Sequence, residues 1–432
     1  MEGEDKIPMN TTEMTGYLST PEALAALEAI YPGDAPRQAA RYRALAETHR
    51  ARFGEAQTLL FASAPGRTEI AGNHTDHNHG RVLAAAINLD TLAATSKRPD
   101  TLVTLYSEGY EKPFIVDLKD LDPIPAEYET THSLIRGVAA RMAALGFPVG
   151  GINAVVTSSV FKGSGLSSSA AFEVMLVALF DALYGEGGIS AESRALIAKY
   201  AENHYFGKPS GLLDQMASSV GGLVTMDFKD PDAVIEAISY DFSARGYAMA
   251  VVSAGGEHGN LTSQYAAIPV EMKQVAALLG AEVLRQVSAE RFEAAIPSLK
   301  GRVSDRAIMR ALHFYDEDAR IPRLVDALKR DDLAAFFEGI VASGESSWKL
   351  LQNLYVPGSD NQEMALALEL SRRMLQGRGA WRIHGGGFAG TILAFVPTDL
   401  MDEYTARMNA VFGQGAVTAL SVRPVGPAVI GG

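Results

Sequence analysis

The run Gly163-Ser-Gly-Leu-Ser-Ser-Ser169 is the first place in this 432-residue chain where residue types and spacing could do chemistry. Glycines let the backbone approach a ligand closely, and serine hydroxyls add donors. A helix starting near Ala170 would present unpaired N–H groups and its positive dipole end. Such a loop suits a polyphosphate, with Gly163, Ser164, Gly165, Leu166, Ser167, Ser168 and Ser169 as its candidate contacts. No Gly-Lys-Ser/Thr closes it, so it is not a P-loop, and its glycine spacing is not that of a dinucleotide fingerprint. Taken alone, the same composition also fits a flexible turn, so its meaning depends on what accompanies it.

Asp214, in Pro209-Ser-Gly-Leu-Leu-Asp-Gln215, is flanked by apolar residues. An unpaired carboxylate there is expensive, so it calls for a cationic partner. Arg67 fits: a guanidinium beside Asp214 would keep the carboxylate ionised and stabilise charge developing on a transferred phosphoryl group. An ordinary capping aspartate and a surface arginine are the plainer readings. Glu202 precedes Asp214 by twelve residues, enough for one helix to end and the chain to return. Glu202 and a loop serine would suit magnesium, which takes a few protein oxygens together with nucleotide phosphates; the plainer reading pairs Glu202 with Lys199 or Lys208. In Asn73-His-Thr-Asp-His-Asn-His79 the three histidines invite a zinc proposal, but no i, i+4 pair or distant acidic ligand is specified. A polar lining for sugar hydroxyls, with Asn73, His74 and Asp76 as donors and acceptors, fits better.

Local elements must position these groups. Thr58 to Ala64 reads as a strand that ends at Pro65-Gly66, with a reactive loop opening at Arg67. Ile152 to Val160 is β-favouring, glycines break it, and Ala170 to Leu183 is helical. Ala191 to Phe206 has helical spacing with Leu196, Ile197 and Tyr200 on one side, and a second helix carries Asp214. Trp381 to His384, Gly385 to Gly390 and Thr391 to Val396 read as strand, glycine turn and strand. Further strands (Tyr247 to Ser253, Ala416 to Val422) alternate with helical stretches (Leu324 to Leu328, Glu363 to Leu375), giving an α+β architecture. After a strand at Gly222 to Phe228, the turn at Lys229-Asp-Pro-Asp232 suggests two domains, 1–235 and 236–432.

A net charge of −13 argues against nucleic acid or an anionic membrane as partner. The chain has no cysteine, which removes thiolate catalysis, disulfides and Cys-ligated zinc. The acidic, polar start is unlike a signal peptide and no apolar run reaches membrane-span length, so a cytoplasmic location is expected.

In order along the chain, these segments closely resemble the galactokinase branch of the GHMP small-molecule kinases. Ala64 to Asn78 resembles the signature A-P-G-R-x-N-x-I-G-E-H-x-D-Y-N, and Gly163 to Ala170 the phosphate loop G-x-G-L-S-S-S-A. Pro209 to Gln215 resembles C-G-x-M-D-Q with Ser210 for the cysteine, and Gly385 to Gly390 the third, glycine-rich motif. The resemblance implies a two-domain fold, N-terminal α/β and C-terminal α+β, with the active site between the domains, where MgATP phosphorylates the C1 hydroxyl of a galactose-type sugar. It implies Arg67 and Asp214 as the catalytic pair, Ser169 and Glu202 as magnesium ligands, and His74, Asp76 and Tyr265 as sugar contacts. Phosphoryl transfer asks mainly for positioning and charge stabilisation, with Asp214 as base or as electrostatic anchor.

The sequence departs from the signature at Glu69 and Ala71, which replace Asn and Ile, and at two acceptor-pocket positions. The family glutamate that contacts the C6 hydroxyl is Asn73 here, and the tyrosine after the aspartate is His77. An Asn removes a negative charge and adds a donor, so a C6 carboxylate becomes tolerable. By the same resemblance, relatives acting on uronates lack that glutamate and carry His at the second position. Galactose is the expected acceptor, with galacturonic acid as the alternative and N-acetylgalactosamine behind it. Some galactokinase-like proteins are non-catalytic sensors that lose loop or catalytic residues; here Ser167-Ser-Ser-Ala-Ala171, Arg67 and Asp214 are intact.

Overall fold

The structure, a computed structural model, describes residues 8–160, 165–185, 187–208, 210–230, 233–255, 261–355, 358–388 and 390–431. Its strands are β1 (Leu60–Ala71), β2 (Arg81–Lys97), β3 (Leu102–Ser107), β4 (Phe114–Asp117), β5 (Ile152–Ser158), β6 (Leu223–Asp227), β7 (Val234–Ile238), β8 (Tyr247–Gly255), β9 (Ala380–Ile383), β10 (Gly390–Pro397), β11 (Val417–Leu420) and β12 (Ala428–Gly431). They form an eight-stranded sheet, in the order β12-β1-β2-β5-β3-β4 with β6 and β7 reached through β2, and a four-stranded sheet in the order β11-β8-β10-β9. The α+β architecture read from the sequence is the one the chain adopts. The larger sheet takes in β7 and β12, so it draws strands from both sides of residue 235.

The parity of β1 shows how the larger sheet is covered. Successive side chains of a strand point to opposite faces. Leu60, Ala62 and Ala64 pack with Ile135, Val138, Val174 and Phe180 of the helices Thr131–Ala144 and Ser168–Tyr184. Phe61 packs on the other face with Met14, Leu27, Tyr42 and Leu45 of three N-terminal helices, Thr11–Tyr17, Pro21–Ile30 and Ala35–Phe53. A sheet covered on both faces is apolar on both, which is why β1 is buried along its whole length. Among the described residues no helix is long and apolar enough to cross a membrane.

Two local readings need correction. β1 does not end at Pro65-Gly66 but runs on to Ala71, absorbing a register shift between Pro65 and Arg67. Arg67 is therefore a strand residue and not the first residue of a loop. The helix Ala191–Ala201 gives way to a wider π turn at Glu202–Phe206, and Leu196 is exposed while Ile197 is buried, so they do not share the packed face.

Candidate active site

β1 and the Gly/Ser loop touch directly. A Cβ at Gly66 would lie 2.7 Å from the Leu166 carbonyl oxygen, so only glycine fits beneath the loop without a shift. Arg67 donates its backbone N–H to Leu166 O at 3.0 Å, and its guanidinium Nη1 donates to Gly165 O. Gly165 takes a positive φ of 72°, and the Leu166 side chain is buried with Val160 and Ala171. Ser167 precedes the helix Ser168–Tyr184 in a left-handed conformation, φ 59°, and makes no side-chain cap to it. Its hydroxyl donates to Asp214 Oδ2 instead. The first N–H groups of this helix are thus left without a side-chain cap, as an anion site requires. Gly163 and Ser164 lie outside the described residues.

Asp214 stands in the first turn of the helix Leu213–Val220. Its Oδ1 accepts from Arg67 Nε at 2.7 Å and lies 2.6 Å from Nη2, an ion pair across 147 residues of sequence. Burial raises the Asp214 carboxyl, but the Arg67 charge, the Ser167 hydroxyl and the Lys208 charge outweigh it, leaving the group below its ordinary value.

Glu202 is buried at the start of the π turn, an irregularity that recurs at functional sites. Its Oε1 accepts from Ser169 Oγ at 2.9 Å and from Lys208 Nζ at 3.0 Å, and its Oε2 from Gln215 Nε2 at 2.7 Å. The same Gln215 amide also reaches the buried Glu173 at 3.2 Å. Burial, followed by the charge on Glu202, pushes the Glu173 carboxyl well above its ordinary value. A carboxylate oxygen and a serine hydroxyl 2.9 Å apart, already facing one ammonium group, have the donor chemistry of a magnesium site.

Beside Asp214 opens a cavity of about 250 Å³, lined by Glu69, Asn73, His74, Asp76, His77, Lys208, Ser210 and the backbone of Gly211 and Gly386. The Asn73 amide is fully engaged: Nδ2 donates to Glu69 Oε1 at 3.0 Å and Gly385 O at 2.7 Å, and Oδ1 accepts from Asn353 at 2.7 Å. His74 Nε2 lies 3.1 Å from Gly386 O. Burial, only partly offset by that carbonyl, and the neighbouring His77 lower His74 to about 4, so it is neutral at physiological pH. Asp76 Oδ1 accepts from His77 N at 2.9 Å. Tyr265 packs its ring against Gly386 and donates its hydroxyl to Gly387 O at 2.7 Å; it is not itself among the side chains that line the cavity. Among the described residues no group of three or more His, Asp or Glu side chains is placed to hold a metal ion.

Several supporting residues escaped the sequence reading. Glu317 accepts from Gly72 N at 3.0 Å, and His313 Nε2 lies 3.0 Å from Asn73 O, so the helix Asp305–Lys329 pins the loop after β1. Buried His384 bridges Thr68 and Thr391 at 3.0 and 2.9 Å. No local motif marks these residues. Glu69 was visible as a departure from the signature, and its place in the cavity wall is new.

Gly211 offers a direct test of the cavity. A Cβ there would fall 2.3 Å from Asp76 Oδ2, so Gly211→Ala must displace the carboxylate. The expected result is a rise in sugar KM of about tenfold or more, the loss of one good charged hydrogen bond, with the KM for ATP unchanged. An unchanged sugar KM would remove Asp76 from the acceptor site.

The sequence and backbone of this site match known families. Residues 47–97 match the galactokinase galactose-binding signature, and residues 133–222 the GHMP kinases N terminal domain. The chain is 30% identical over 357 residues to a galactokinase of Actinobacillus pleuropneumoniae, covering 81% of this chain and 88% of the relative. It is 31% identical over 357 residues to one of Glaesserella parasuis, with the same coverages. The galactokinase of Lactococcus lactis, solved in complex with galactose, superposes with a TM-score of 0.78 at 23% identity over 89% of this chain and 98% of that one. A mevalonate kinase shares the fold more distantly, with a TM-score of 0.61 at 15% identity over 84% of this chain and 98% of that one. An arginine-clamped aspartate, an uncapped helix behind a Gly/Ser loop and a polar cavity beside both thus occur in a chain that belongs to the galactokinase family of GHMP kinases.

Proposed function

We propose that this ATP-dependent sugar kinase phosphorylates the C1 hydroxyl of galactose, giving galactose 1-phosphate. The observation that carries the reading is the Asp214 carboxylate, held ionised by Arg67 at the edge of a cavity whose wall is rich in hydroxyl-binding groups. Arg67 and Asp214 are the catalytic pair, with Asp214 orienting the attacking hydroxyl and Arg67 stabilising charge on the transferred phosphoryl group. Gly163 to Ser169 hold the phosphates at the helix N-terminus, and Ser169 with Glu202 hold magnesium. Magnesium bound there would supply charge that neutralises the nucleotide phosphates. Asn73, His74 and Asp76 line the acceptor site, and Tyr265 supports it through its contacts with Gly386 and Gly387. Dependence on ATP fits a cytoplasmic location.

The test is an acceptor panel of galactose, galacturonate and N-acetylgalactosamine, read by ADP release with MgATP. Galactose is expected to have the highest kcat/KM, above galacturonate by about tenfold or more, as one repelled or unpaired polar group implies. Preference for galacturonate would reassign the acceptor. Silence on every sugar would favour a non-catalytic sensor.

A further inference from the structure

Glu69 supplies the acceptor cavity with a carboxylate that the sequence pattern alone did not lead one to expect there. Replacing the signature glutamate by Asn73 removes a negative charge from one position. Four residues earlier, Glu69 replaces the signature asparagine, and the two side chains meet, Asn73 Nδ2 donating to Glu69 Oε1 at 3.0 Å. The amide and the carboxylate have exchanged places within one hydrogen-bonded pair.

The geometry gives the two members different tasks. Asn73 is 1% exposed, with both its donor and its acceptor ends engaged by Glu69, Gly385 and Asn353. Glu69 uses Oε1 for Asn73 and, at 3.4 Å, for Arg382 Nη2. Its Oε2 has no hydrogen-bond partner among the described residues, and Glu69 lines the cavity. On β1, Glu69 lies two residues beyond Arg67, with consecutive pairing to β2 from Arg67 to Glu69. Residues i and i+2 share a face, about 6.5 Å apart along a strand. Glu69 therefore stands one hexose away from the Arg67–Asp214 pair, on the same wall.

We infer that Glu69 is a specificity-determining residue of the acceptor pocket: it accepts a hydrogen bond from a hydroxyl of a neutral sugar and excludes the corresponding uronate. Asn73 is a positioning residue that holds the carboxylate. The inference rests on the proposed sugar 1-kinase activity and names the acceptor class. Burial raises the Glu69 carboxyl, with Arg382, Arg67 and the Asn73 amide opposing it; a sugar carboxylate offered to Oε2 of the ionised group would meet like charge, whereas a hydroxyl donates its proton to it.

Glu69→Gln tests this with little change of shape. Asn73 must still donate to the side-chain oxygen, which turns the new amide nitrogen toward the cavity and replaces an acceptor by a donor. The expected result is a fall of about 10–100-fold in kcat/KM for galactose. A gain for galacturonate should accompany it, so that the ratio of the two shifts by about 100-fold, with the KM for ATP unchanged. The reciprocal pair Glu69→Asn with Asn73→Glu keeps one carboxylate and one amide and should restore the preference for galactose; it also serves if the single variant folds poorly. If wild-type enzyme phosphorylates galactose but the ratio is the same in folded Glu69→Gln, or in the reciprocal pair if the single variant does not fold, the inference about Glu69 fails and the kinase reading stands. If wild-type enzyme phosphorylates neither sugar, both fall together.

Discussion

Asp214→Ala is expected to lower kcat by about 10³-fold or more, the scale at which positioned acid–base and electrostatic groups act, with ATP affinity nearly unchanged. Asp214 reaches the loop through the Ser167 hydroxyl and through Arg67, but the helix N-terminus behind the loop does not depend on it. Asp214 bonds to Arg67 and Ser167, while the first turn of the phosphate-loop helix owes its uncapped N–H groups to the backbone. The comparison is turnover by ADP release against nucleotide binding by calorimetry; full activity in the variant would sink the assignment. The electrostatics also bear on which role Asp214 plays. A carboxyl held below its ordinary value is a weak base, so the proposed role for Asp214 is that of a fixed negative charge that orients the hydroxyl. Its contribution is present above the ordinary carboxylate range and is lost only as pH falls through the depressed value. Asp214 should accordingly put no bend in the kcat profile at saturating substrates between about pH 5 and 8, and a bend in that window that persists in Glu173→Gln and Glu69→Gln, whose raised carboxyls are the other candidates, argues against an ionised anchor.

Legibility from sequence followed contact range. The helix behind the Gly/Ser loop and the strands β9 and β10 are short-range features, in which helix-forming and β-favouring residues dictate local geometry whatever the rest of the chain does. The Arg67–Asp214 pair was legible for a chemical reason, since a carboxylate among apolar residues needs a cation. Glu69 was missed because Pro65-Gly66 read as the end of β1. Once the strand is known to continue, i, i+2 parity alone puts Glu69 on the face of Arg67. Nothing local could reveal that Asn73 is held by His313 and Asn353, which lie 240 and 280 residues away. The N-terminal helices were equally opaque, because their apolar stripes acquire meaning only against Phe61 and Leu92 of the sheet they cover.

Those helices are held by a charge cluster remote from the cavity, and Asp90→Asn is expected to destabilise the protein by about 3–5 kcal/mol, the cost of breaking a buried ion pair from one side. Asp90, on β2, is fully buried; Oδ1 lies 2.6 Å from Arg41 Nη1, and Oδ2 accepts from Ser63 Oγ at 2.6 Å and from the Tyr31 hydroxyl. Arg423, also fully buried, stands 3.4 Å from Oδ2 and donates to Ser63 Oγ at 2.7 Å. One carboxylate thus ties together two N-terminal helices, β1, β2 and the segment leading into β12. Burial raises the Asp90 carboxyl, but Arg41 and Arg423 more than reverse it, leaving it below its ordinary value. Its contribution to stability is therefore present above the ordinary value of 3.8 and disappears as pH falls through the depressed one. Asn keeps the shape but leaves Arg423 charged and buried, and that charge, not the lost bond, is the source of the penalty. Urea denaturation at neutral pH measures the loss, and a variant within about 1 kcal/mol of wild type, the range of a surface pair, would show that the cluster carries no net charge energy. Replacing Arg423 by Met together with Asp90→Asn removes the orphaned charge and should recover much of the difference. Because Asp90 does not line the acceptor cavity, the folded fraction of Asp90→Asn should keep the wild-type KM for sugar.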